Sequence, residues 1–407
     1  MFLALLVQLS ADPVVVSGGT ANDYESWIAR LNDSRLLVIF ARNPDWQSGD
    51  IYQTYSADDG LSWSQPQPVI AENGDQATLS FVQQLNGELR LWYASNQNGG
   101  YRIFTAYSPD GWNWIVEGEI DLGWDQNDQF YDPNVIMEDD GSFTMSYVKM
   151  GGGAYVAHKP FAGEWDQDMT LVAPGAYRAR IATLLDGGYV VAYHKRTGST
   201  YEYDVFIQTG CDLSDWNDPV QISDNHNSHD PFILGNYQGD YVIMYAKYQY
   251  PAYNIVSRRS EDLIVWGDEE FLTQDNDNNT QPHFFFENEQ IYLIWAHAVY
   301  YPIDHDVYFE LYDTATASLQ KTIEPHSMFE ISPNPCKTYL DIRLSENMRS
   351  DFTLDVFDLK GRRIMTRRGM NNSGYELSLD LSRQSRGIYF IRMKSLLGNE
   401  IKKFNIY

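Results

Sequence analysis

The stretch S-A-D-D-G-L-S-W, Ser56–Trp63, returns down the chain. It comes back as S-P-D-G-W-N-W at Ser108–Trp114, C-D-L-S-D-W at Cys211–Trp216 and S-E-D-L-I-V-W at Ser260–Trp266. Each copy separates two β-like runs and so marks a hairpin turn. The Asp can accept hydrogen bonds from backbone N–H groups of its own turn, the Gly supplies unusual φ, and the Trp packs between sheets. The phrase therefore serves as scaffold.

Working outward, six segments share one layout. Each opens with an extended run: Ser26–Leu31, Ala77–Leu85, Tyr131–Met137, Tyr177–Leu184, Asp230–Leu234 and His283–Phe286. A turn rich in Asp, Asn or Gly follows, then a strongly apolar run such as L-L-V-I-F-A-R or Y-V-I-M-Y-A-K, then a third run, the turn phrase and a short last run. Four short strands at a period of roughly 45–50 residues are the signature of a propeller blade. Six units predict an all-β, six-bladed β-propeller over residues 12–323, with Pro13–Ser17 as the outer strand that closes the last blade. A linker at 324–329 and a small C-terminal β-sandwich at 330–407 complete the expected organisation.

Two resemblances follow from these residues. The phrase S-x-D-x-G-x-x-W is similar to the Asp-box, or BNR repeat, of sialidase-like propellers, and Ser56–Trp63 matches it in full. S-E-D-L-I-V-W resembles the corresponding turn of five-bladed glycoside hydrolases. The tail resembles the C-terminal sorting domain of the type IX secretion system, carried by I-S-P-N-P, D-L-K-G-R and G-I-Y-F-I-R. That second resemblance implies export to the surface or exterior of a Gram-negative, Bacteroidetes-type bacterium and engagement with its secretion machinery. Cys336 stands where that domain usually has a small polar residue, and no chemistry is assigned to it.

The net charge of −27 is unevenly spread. From Glu330 onward there are 14 basic and 9 acidic residues; before it there are 15 and 47. A surface that acidic repels nucleic acid and anionic membranes. The first eleven residues, Met1–Ala11, have the apolar character of a secretory signal without its basic start, and read as a truncated signal peptide. No stretch is long and apolar enough to span a membrane as a helix. The two cysteines, Cys211 and Cys336, fall in different expected domains and predict no disulfide framework.

Ligands bind propellers at one mouth of the central channel, beside the inner strands. The heads of the inner runs bring Asp23, Glu25, Asp75, Asp132, Arg178, Arg180, His229, Asp230 and His283 toward that mouth. The ends of the second runs bring Arg42, Ser95, Lys149, His194, Lys247 and His297. Glycoside hydrolysis needs one carboxyl group to protonate the leaving oxygen and another to activate water or attack the sugar. Asp132 and Asp230 are the principal candidates, both in D-P contexts (Y-D-P-N, H-D-P-F) like the strand heads of five-bladed arabinanase- and xylosidase-like hydrolases. Glu25 is the third acid. Arg178, Arg180, His194, His283, Arg42 and Lys247 are the expected substrate-binding residues.

The sialidase resemblance implies three arginines for a substrate carboxylate, a Tyr–Glu nucleophile and an Asp acid/base before the first Asp-box. Asp45 or Asp50 stands in that loop, and Tyr300 and Tyr301 are candidate nucleophiles. Y-E-S-W, however, occupies the place of the first arginine, so strict sialidase activity is not expected. The loops D-Q-N-D-Q, D-N-H-N-S-H-D and D-N-D-N-N-T carry enough oxygen ligands for one Ca²⁺, without the twelve-residue loop pattern. No metal site and no other cofactor is expected.

The favoured reading is a secreted glycoside hydrolase acting on an extracellular glycan. A non-catalytic glycan- or partner-binding propeller and a polysaccharide lyase using His and Tyr stay open. Carboxyl groups about 5–10 Å apart in one mouth favour the hydrolase. A channel plugged by aromatic side chains favours binding alone.

Overall fold

A computed structural model describes residues 7–8, 13–44, 48–184, 187–198, 202–224, 227–235, 239–300, 303–313, 329–344, 352–359, 361–369, 376–395 and 398–407. Among the described residues every regular element is a β-strand. Six antiparallel sheets follow one another along the chain, each ordered from an inner strand outward. The first comprises Asn22–Arg30, Leu36–Asn43, Asp50–Ser56 and Gln67–Ile70. The other inner strands are Gln76–Gln83, Phe130–Met137, Ala176–Thr183, Ser228–Gly235 and Asn278–Glu287. Each inner strand packs against the inner strand of the next sheet, and the sixth returns to the first. The molecule is a six-bladed propeller.

In the sixth blade Val14–Val15 pairs with Phe309 and Tyr308 on Ile303–Asp313, supplying the outer strand from the other end of the chain. Val7–Gln8, inside the stretch read as a signal peptide, pairs with Asp313 and Tyr312 and extends the same edge.

The repeated turns carry out the job their sequence implies. Asp58 accepts from Ser62 N at 2.9 Å, Asp110 from Trp112 N and Asn113 N at 2.8 Å, Asp212 from Ser214 N at 2.8 Å, and Asp262 from Ile264 N and Val265 N at 2.8 Å. These bonds favour the ionised carboxylate and hold Asp110 down to about 2. The tryptophans reach the preceding blade: Trp63 packs on Phe309 at 5.6 Å, and Trp114 Nε1 donates to Gln53 at 2.9 Å. Gly60 has φ 89°, and a Cβ there would lie 2.0 Å from the Phe309 ring.

Residues after 329 form two facing sheets. Phe329–Ser332, Tyr339–Leu344 and Glu376–Asp380 make one; Arg363–Gly369, Phe352–Asp358, Gly387–Ser395 and Gly398–Ile406 make the other. Phe329, Leu340, Ile342, Val356, Ile391, Phe404 and Cys336 fill the space between them. Cys336 is fully buried, consistent with a small apolar filler, whereas Cys211 is exposed.

Candidate active site

One residue in every inner strand leaves extended geometry. Glu25 (φ 54°), Thr78 (21°), Asp132 (56°), Arg178 (54°), Asp230 (53°) and Gln281 (56°) all have positive φ. Each sits where the pairing with the second strand slips: between Tyr24 and Trp27, Ala77 and Leu79, Tyr131 and Asn134, Tyr177 and Arg180, His229 and Phe232, and Thr280 and His283. A β-bulge re-aims a side chain out of the ladder. Holding a non-glycine residue there costs about 1 kcal/mol or more. The fold bears that strain at six equivalent places around one axis, and strain of this kind concentrates at working sites.

The six side chains are connected across the channel. Arg178 is the hub. Its Nη1 meets both Glu25 Oε1 and Asp132 Oδ1, the latter at 2.8 Å, and its Nε lies 3.3 Å from Asp230 Oδ1. Two oxygens bound to one nitrogen stand no more than about 6 Å apart. Gln281 Nε2 donates to Glu25 Oε1 at 3.0 Å, and its Oε1 accepts from Glu25 N at 2.9 Å. Thr78 Oγ1 accepts from Asp132 N at 3.0 Å.

Two histidines brace Asp230 from outside the ring. His194 Nδ1 accepts from Asp230 N at 3.0 Å, and His229 Nδ1 lies 2.9 Å from Asp230 Oδ2. Burial opposes the charge on Asp230, but His229 and Arg178 outweigh it and hold this carboxyl well below the usual range. Glu25 goes the other way. Burial raises it, the neighbouring Asp132 and Asp230 charges add to the rise, and the arginines offset it only in part. Burial also pushes His194 down to about 3, which leaves it neutral.

A second layer lies two residues further along the strands. Trp27, Phe232 and His283 gather there, with ring centroids 4.1 Å (Trp27–His283) and 4.2 Å (Phe232–His283) apart. His283 Nδ1 accepts from Ile28 N at 3.3 Å, so its proton sits on Nε2, which has no protein partner. Equivalent bonds run from Val135 N to Ser80 and from Ile181 N to Asn134. Between the layers a small cleft opens to solvent, lined by Glu25, Trp27, Arg178, Arg180, Asp230, Phe232, Gln281 and His283.

Among the residues expected from sequence, the structure brings Glu25, Asp230, Arg178, Arg180 and His283 to this cavity. Asp132 is 1% exposed and stands beside Arg178 instead of lining the cavity. His194 likewise supports Asp230 from behind. Two expectations need correction. Arg42 is clamped by both oxygens of buried Asp23 (2.7 and 2.6 Å), and Lys247 is paired with Glu269; neither lines the cavity. Each grows from a second strand, one strand spacing away from the channel, and finds its partner within its own blade. Asp75 accepts from Gly49 N, Asn43 Nδ2 and Tyr101 OH and ties the first two blades together. Asp45 and Tyr301 lie outside the described residues, as does the side chain of Tyr300; Asp50 stands half-buried at the head of a third strand. Among the described residues no group of three or more His, Cys, Asp or Glu side chains is placed to hold a metal ion. Gln281 and Thr78 were missed from sequence because neither side chain carries acid–base chemistry. The aromatic floor was missed because Trp27 and Phe232 read as ordinary core.

Residues 330–407 match the family model described as a secretion system C-terminal sorting domain, which places the protein outside the cell or at its surface. No curated protein matches the chain. Among solved structures, one similar to it is a protein of unknown function from Dyadobacter fermentans (11% identity, TM-score 0.62, covering 76% of this chain and 99% of that one). Others are the Penicillium chrysogenum α-L-arabinanase (12%, 0.57, 76% and 99%) and the Trypanosoma rangeli sialidase (7%, 0.54, 99% and 88%). At these identities the likeness is one of fold: this chain has a sialidase-like propeller.

Proposed function

We propose that the protein is an exported glycoside hydrolase that acts on a neutral extracellular glycan, with Glu25 as general acid and Asp230 as base or nucleophile. The observation that carries this reading is one cavity holding two carboxyl groups pushed in opposite directions. Burial favours the protonated form of Glu25, and His229 with Arg178 favours the ionised form of Asp230. Such a divided pair is what cleavage of a glycosidic bond needs: a proton for the departing oxygen and a negative charge facing the anomeric carbon. Asp132 acts through Arg178. It helps hold the guanidinium in place, and the guanidinium in turn orients both acids.

A neutral substrate fits the local charge. The guanidinium groups of Arg178 and Arg180 are matched by the acids Glu25, Asp132 and Asp230, which leaves neither cation uncompensated for an anionic sugar. The aromatic floor closes the channel one layer below the acids, so it shapes the pocket without filling it. Arg180 offers N–H donors at that floor to hydroxyl oxygens. The fold relatives include a sialidase and an arabinanase, both of which act on glycosidic bonds, and this supports the same class of chemistry here.

The test is hydrolysis of a panel of aryl glycosides and polysaccharides by the full chain, followed by Glu25→Gln and Asp230→Asn. Each variant should lower turnover by about 10²–10⁴-fold. Hydrolysis that survives both would remove the assigned roles. A panel without any hydrolysis would favour a binding propeller, and products absorbing near the ultraviolet band of unsaturated sugars would favour a lyase.

A further inference from the structure

We propose that a glycan chain continues out of the pocket along a row of aromatic rings over the fourth and fifth blades, ending at the exposed turn between Tyr248 and Tyr253. This rests on the glycan reading of the pocket. The row starts at His229, whose Nδ1 is 2.9 Å from Asp230. The His229 ring stands 4.4 Å from Tyr253, and Tyr253 stands 5.2 Å from Tyr248. On the other side His194 lies 6.0 Å from His229 and 5.2 Å from Tyr203. Rings thus lead without interruption from the side of Asp230 to solvent.

The outer end is built to present these rings. Tyr248 and Tyr253 are paired across the second and third strands of the fifth blade, and a two-residue turn, Tyr250–Pro251, joins them. Asn227 donates to the Tyr253 hydroxyl and fixes that ring from below. Tyr250 is 87% exposed and Tyr248 38%. Exposed tyrosines at a turn contribute little to a core, while their flat apolar faces and polar tips suit a ligand that is itself part apolar and part wet. Charge selects the occupant. A propeller with 46 acidic and 15 basic residues repels nucleic acid, which also stacks on aromatic rows, and leaves a neutral saccharide.

The experiment is affinity electrophoresis of the full chain in gels containing arabinan, xylan, galactomannan or mixed-linkage β-glucan, with kinetics on a polymer and on an aryl monosaccharide glycoside. At least one polymer should retard the wild type. Tyr248→Ala with Tyr250→Ala should weaken that retardation about tenfold and lower the ratio of polymer to aryl-glycoside kcat/KM by a similar factor. The double Phe variant should restore both. Glu25→Gln should lose hydrolysis and keep retardation. No retardation of the wild type by any of the four polymers, or equal retardation of the double Ala variant, overturns the proposal. Retardation without hydrolysis by the wild type leaves the aromatic row standing and sinks the hydrolase reading instead.

Discussion

Replacing Arg178 by Met removes the one guanidinium in contact with Glu25, Asp132 and Asp230. Breaking a buried ion pair from one side costs about 3–5 kcal/mol, because the other charge is left unpaired in a poor solvent. Three acids are left behind here, so at least about 4 kcal/mol is expected at pH 7.5. At about 2–4 °C per kcal/mol for a domain of this size, the melting midpoint should fall by about 8–16 °C. The deficit has a pH dependence with a definite sign. Asp230, lowered in the fold, stabilises it above the unfolded value near 3.9 and loses that contribution as pH falls through its folded value. Glu25, raised in the fold, favours it below about 4.3 and loses that contribution as pH rises through its folded value. Without Arg178 the lowering of Asp230 diminishes and the raising of Glu25 grows. The folded variant then binds more protons than the parent between these values, and its deficit shrinks as pH falls from 7.5 toward 4.5. All 11 tryptophans precede residue 330, so tryptophan fluorescence reads melting of the propeller alone. A midpoint lowered by less than 2 °C, or by the same amount at both pH values, would refute the hub role of Arg178.

Three further outcomes are expected. For a cleavable glycoside, kcat/KM should fall as pH rises through the raised value of Glu25 and hold at lower pH until Asp230 is protonated, below the usual carboxylate range; a pH–rate profile with no alkaline decline would contradict Glu25 as the acid. Gly60→Ala, with φ 89° and the Phe309 ring 2.0 Å from the added carbon, should cost about 2–4 kcal/mol, whereas Gly111→Ala (φ 78°, nearest atom 3.5 Å) meets strain of only about 1–2 kcal/mol; equal melting shifts would argue against the close packing of the Phe309 ring on Gly60. In the native protein one thiol, Cys211, should react with an aromatic disulfide reagent and two should react in denaturant, while two in the native state would contradict burial of Cys336.

The architecture was legible because its signal is local. The Asp of each repeated turn satisfies hydrogen bonds within a few residues, so four short phrases marked hairpins, and the six segments around them counted the blades. The tail was legible for the same reason, through I-S-P-N-P, D-L-K-G-R and G-I-Y-F-I-R. The site was half-legible. Asp132 and Asp230 announce themselves as acids before Pro at strand heads, and both stand at bulges. Their division of labour is not local: Asp132 recedes beside Arg178, and Glu25 lines the cavity with Asp230. That depends on which neighbour each bulge points at, which only the closed ring fixes. Arg42 and Lys247 misled because a cation at the end of a second strand looks equivalent to one on an inner strand, although its nearest acid lies in its own blade. Gln281 carries no charge, yet its amide holds Glu25 at both the carboxyl group and the backbone. The bulge falls at the third or fourth residue of every inner strand, but φ is not written in residue names.

The seam in the sixth blade has a consequence for how the protein comes into being. Ser17 and Val307 are hydrogen-bonded although 290 residues separate them, and Val14–Val15 lies against Phe309 and Tyr308. Contacts of such long range form late, since the intervening polypeptide must first be gathered. While the ribosome is still translating the fifth blade, the leading segment has nowhere to dock and the first blade exposes a bare flank. Circularisation must therefore await release of nearly the whole propeller, which gives the nascent chain a long interval in which it can still be handed over unfolded for transport.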